Sequence, residues 1–77
     1  MVTLEKIANL LIENKINELS ELIIENKLSL NEIIYDLQES NRYSFPSHNL
    51  NSMMLIVADN ILGIHYDFIE KQINKNS

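Results

Sequence analysis

Cysteine is missing from these 77 residues, so neither a disulfide nor a thiolate metal site can hold the fold together. Glycine and proline occur once each, which excludes a glycine-rich phosphate loop and leaves few obligatory turns. A chain this short builds only one small core, and such cores need close helix packing or a second subunit for support. Apolar residues make up 45% of the chain, far above the level of a disordered segment. An all-α fold of three or four helices in one domain, residues 1–77, is therefore expected.

Basic residues are scarce where acids are plentiful. Residues 1–41 hold eight acids against Lys6, Lys15 and Lys27, which accounts for the whole net charge of -5. Residues 42–77 balance, with Arg42, Lys71 and Lys75 against Asp59, Asp67 and Glu70. An acidic first half repels phosphate and suits a basic partner or simple solubility. The start, MVTLEKIANLL, lacks the basic lead of a secretory signal, and the run from Met53 to Ala58 is too short to span a bilayer. A cytoplasmic location is expected.

Thr3 suits the cap of a first helix, with Leu4, Ile7, Ala8 and Leu11 at helical spacing. The next apolar set, Ile12, Ile16, Leu19, Leu22 and Ile23, is rotated by roughly 70° to 80° from the first. Between them lies Glu13-Asn14-Lys15, and the same triplet returns as Glu25-Asn26-Lys27. The first copy has no capping box after it and reads as a kink or short break. The second is a stop and a start: Asn26 suits a helix end, Ser29 and Glu32 form a capping box, and Leu28 can staple to Ile33.

The third helix turns Leu30, Ile33, Ile34 and Leu37 inward and leaves Glu32, Tyr35, Asp36 and Glu39 outside. Pro46 breaks the pattern, and a long helix follows over residues 47–73. Its main stripe is Leu50, Met54, Val57, Ile61, Ile64 and Phe68, and Met53, Leu55, Ala58, Leu62 and Ile69 widen the apolar arc to roughly 200°. One neighbour cannot cover so wide an arc. The helix must run through the middle of the fold or meet another chain, and the six stripe residues are the expected homodimer interface. Gly63, a weak helix former, points to a kink or a close helix contact.

The stretch ELSELIIENKLSLNEIIYDL resembles a helix-turn-helix unit, which implies sequence-specific DNA binding by the third helix. That helix would offer Asn31, Glu32, Tyr35, Asp36 and Glu39 to the groove, an acidic set where Lys and Arg are needed. Two histidines, His48 and His65, have no metal-ligand spacing, and no nucleophile, base and acid can be nominated together. Neither a cofactor, a metal nor catalysis is expected. The best candidates for partner binding are the acidic outer face, Glu32, Tyr35, Asp36 and Glu39, with the loop residues Arg42, Tyr43 and Phe45; for Tyr43 or Phe45 a plug under the long helix is the favoured alternative.

The chain thus reads as a small acidic adaptor, regulator or inhibitor that binds a protein, of the size and charge often met among mobile-element proteins. The alternatives are a helix-turn-helix DNA-binding regulator and a structural dimerisation module.

Overall fold

The computed structural model describes residues 2–40, 45 and 47–76, excepting the side chains of 47, 48 and 76. The described residues form four helices, α1 (Leu4–Ile12), α2 (Ile16–Asn26), α3 (Leu30–Glu39) and α4 (Ser47–Asn76). Thr3 caps α1 from an extended backbone, its hydroxyl accepting from the Lys6 amide at 3.2 Å. Ser29 does the same for α3, accepting from Glu32 N at 3.4 Å.

Both Glu-Asn-Lys triplets end a helix, and by the same hydrogen-bond pattern. In the first, Asn14 takes a left-handed φ of 58°, and the amides of Asn14 and Lys15 reach back to the carbonyls of Leu11 (3.1 Å) and Leu10 (2.9 Å). In the second, Lys27 takes a φ of 52°, with its own amide on Ile24 O (3.3 Å) and that of Leu28 on Ile23 O (3.0 Å). Each is a Schellman ending, which satisfies carbonyls that the helix leaves unpaired. The pattern slips by one residue between the copies, so Lys27 and not Asn26 is the left-handed residue of the second. Leu28 follows it and packs against the core, which fixes where the turn must fall. Lys15 in the equivalent place stays exposed, 3.1 Å from the carboxylate of Glu13, which holds its ammonium pKa above the ordinary lysine value.

The core draws on every helix. Ile7, Ala8, Leu10 and Leu11 come from α1, Leu19 and Ile23 from α2, Ile33 and Leu37 from α3, and Leu50, Met54 and Val57 from α4. α2 and α3 each lie against both α1 and α4, with the α2–α4 contact the most extensive. Phe45 is half-buried against this core, which is the plug position anticipated for the loop. At 1.5 Å per residue α4 is about 45 Å long. It therefore sets the 52 Å long dimension of the molecule, against 27 and 20 Å across.

Candidate functional site

Only the N-terminal half of α4 is clad. Leu50, Met54 and Val57, spaced four and three, are buried against the other helices, and Met53, Ala58, Ile61 and Ile64 are half-buried. From His65 to Lys75 every residue is exposed, because α1 to α3 end before the helix does. The six stripe residues expected to meet a second chain are thus divided: Leu50, Met54 and Val57 serve the chain's own core, Ile61 and Ile64 lie at its edge, and Phe68 is 61% exposed.

A second apolar stripe lies roughly 130° round the helix from the first. Leu55, Leu62, Tyr66, Ile69 and Ile73 follow at spacings of seven, four, three and four, and all are between 52% and 72% exposed. Leu62, His65, Tyr66 and Ile69 line a shallow apolar concavity along this stripe. The arc from Phe68 through His65 and Ile69 to Tyr66 carries no Asp, Glu, Lys or Arg. Asp59, Asp67, Glu70, Lys71 and Lys75 all sit on the remaining side of the cylinder. The helix is amphipathic beyond the bundle, and its apolar side stays exposed among the described residues.

Gly63 lies level with the midpoint of this stripe but roughly 90° round the helix from its centre, between Glu70 and Asp67. α4 runs through it without interruption, its φ is that of any helical residue, and a Cβ added there would have no atom within 4 Å. The kink or close contact expected of this glycine is therefore not supplied by the chain itself.

The acidic outer face of α3 is as the sequence arranges it. Glu32, Asp36 and Glu39 are exposed and Tyr35 is 63% exposed. Arg42 and Tyr43, the other loop candidates, lie outside the described residues, as does the side chain of His48. Val2, Leu4, Ile7 and Leu28 meet Glu32 and Asp36 around a small cleft between α1 and α3, of about 150 Å³. A wider groove, lined by Ile23, Ile24, Leu28, Leu30 and Ile61 with Lys27 and His65 at its rim, opens between α2, α3 and α4. Among the described residues, no cluster of three or more His, Asp or Glu side chains could hold a metal ion.

By length and composition alone, the segment Asn49–Lys75 is apolar enough to cross a bilayer, which the short run from Met53 to Ala58 did not suggest. The buried residues of this segment, Leu50, Met54 and Val57, lie in its N-terminal half, and Asn60 is hydrogen-bonded into α2. No protein family, curated protein or solved structure matches the chain.

Proposed function

We propose that the chain acts by binding another protein, as a small helical adaptor, regulator or inhibitor, and not as an enzyme. One observation carries this reading. Leu55, Leu62, Tyr66, Phe68, Ile69 and Ile73 stay more than half exposed along one side of a single helix in a 77-residue chain. Contiguous apolar surface of this kind is costly to leave in water, and in soluble proteins it marks a surface that something covers. The acidic face of α3, Glu32, Tyr35, Asp36 and Glu39, supplies a second surface whose charge favours a basic partner. Arg42, Tyr43 and Phe45 adjoin it in sequence.

The helix-turn-helix alternative has α2 and α3 joined by a short turn in its favour. Against it, α3 would bring three carboxylates to the phosphates, and α2 and α3 lean on α1 and α4 more than on each other.

The test is affinity capture from an extract of the native host, with two variants as controls: Leu62→Glu with Tyr66→Glu on α4, and Glu32→Gln with Asp36→Asn and Glu39→Gln on α3. A distinct protein should be retained by wild type and lost with one variant set. Recovery of the chain alone would overturn the reading and leave a structural self-association module.

A further inference from the structure

The exposed stripe of α4 has an extent, a symmetry and a charge pattern that select its occupant. Building on the reading that protein covers this face, we propose that the cover is a second copy of the chain, its α4 running antiparallel across the first, which leaves the acidic face of α3 to a foreign partner.

Extent comes first. Large side chains expose on the order of 200 Å² each when free, so Leu55, Leu62, Tyr66, Ile69 and Ile73 together present roughly 600 Å². Burying that on two copies removes about 1,200 Å² from water, which reaches the size of a specific interface.

Symmetry comes next. The stripe runs Leu55, Leu62, Tyr66, Ile69, Ile73, and its midpoint falls between Leu62 and Tyr66. A two-fold axis there sets Leu62 against Tyr66 of the partner subunit and Leu55 against Ile73 of the partner subunit, and brings Ile69 level with Asp59 of the partner subunit. Gly63 and His65 flank the axis, one on each side. The space over Gly63, empty within the chain, is where the ring of Tyr66 of the partner subunit would lie. A glycine that weakens an exposed helix then has a reason to be there.

Charge sets the direction of the pairing and disfavours a bilayer. The net charge of -5 lies wholly in residues 1–41, which pack on the N-terminal half of α4. Antiparallel pairing places these acidic bundles at opposite ends of the pair, whereas parallel pairing sets them side by side. A bilayer surface fits less well, since such helices carry Lys and Arg on the polar face, and here three acids face two lysines.

The mass of the chain tests this first. Sedimentation equilibrium at tens of micromolar should return two chains for wild type and one for Leu62→Glu, with the same far-ultraviolet dichroism, because Leu62 is 56% exposed and lies outside the core. Cross-linking then reads the direction, and the cysteine-free chain makes it clean. With a short bis-maleimide, His65→Cys should link to itself. Leu55→Cys should link only to Ile73→Cys in a mixture, since two copies of residue 55 would be roughly 27 Å apart. A single-chain mass for wild type overturns the proposal, and so does self-linking of Leu55→Cys. Flotation of a monomeric wild type with phosphatidylcholine vesicles overturns it in favour of a bilayer. A monomer that still captures a foreign protein through Leu62 would sink this inference alone, leaving the protein-binding reading intact.

Discussion

Asn60 on α4 donates through Nδ2 to the hydroxyl of Ser20 on α2 at 2.8 Å. That hydroxyl donates in turn to the carbonyl of Ile16, also at 2.8 Å, and Asn60 reaches Asn17 Oδ1 at 3.0 Å. Ser20 is the one buried polar residue among those described, and this arrangement uses it as both donor and acceptor. The link fixes the register of the two helices that share the largest contact in the fold. Asn60→Ala should cost about 1 to 2 kcal/mol, since it strips a buried hydroxyl of a donor. Ser20→Ala should cost less, because Asn60 keeps Asn17 and solvent. Urea unfolding of both single variants and the double variant measures this, and strict additivity would contradict a direct bond.

The two helix endings differ in how well their residues suit the backbone. A left-handed φ is tolerable for asparagine and strained for lysine, and glycine relieves it in both. Lys27→Gly should therefore raise the unfolding free energy by about 0.5 to 1 kcal/mol, and Asn14→Gly by less or not at all. Equal gains at the two positions would contradict the strain assigned to Lys27.

These endings also mark how far the sequence could be read. The second break was legible because three signals agree, Leu28, Ser29 and Glu32, and Ser29 does cap α3. The first was legible only as a kink or break, from the rotation of its apolar stripes. Its signal is a helix stop centred on Asn14, and α2 begins at Ile16 after Lys15, whose side chain makes no capping bond to announce it. The long helix and its wide apolar arc follow from spacing alone. What spacing could not divide is that arc: the stripe from Leu50 to Phe68 and the one from Leu55 to Ile73 are equally apolar. Only the placement of α1 to α3 shows that Leu50, Met54 and Val57 face inward. The kink or close helix contact read from Gly63 is not met by the described residues, where α4 runs on unbroken and open space lies over its Cα.

Gly63→Ala should stabilise a single chain. Alanine gains about 0.8 to 1 kcal/mol of helix propensity over glycine, and nothing stands within 4 Å to oppose its methyl group. Measured in the Leu62→Glu background, where pairing is absent, the thermal midpoint should rise. A fall would mean that Gly63 meets something within its own chain.

Duplex DNA should not bind. Glu32, Asp36 and Glu39 project from α3, and residues 1–41 carry five more acids than lysines. Fluorescence anisotropy of a labelled duplex should stay flat at physiological salt. A saturable rise at micromolar protein would instead favour the helix-turn-helix reading.

The most direct measurement is hydrogen exchange along α4 as a function of protein concentration. Its amides before Ile61 should be protected at every concentration, since Leu50, Met54 and Val57 anchor that half in the core. Residues 65–75 should exchange quickly at low micromolar concentration and become protected at tens to hundreds of micromolar, with that gain lost in Leu62→Glu. Exchange that is equally fast at every concentration in wild type would contradict a face built to be covered by its own copy.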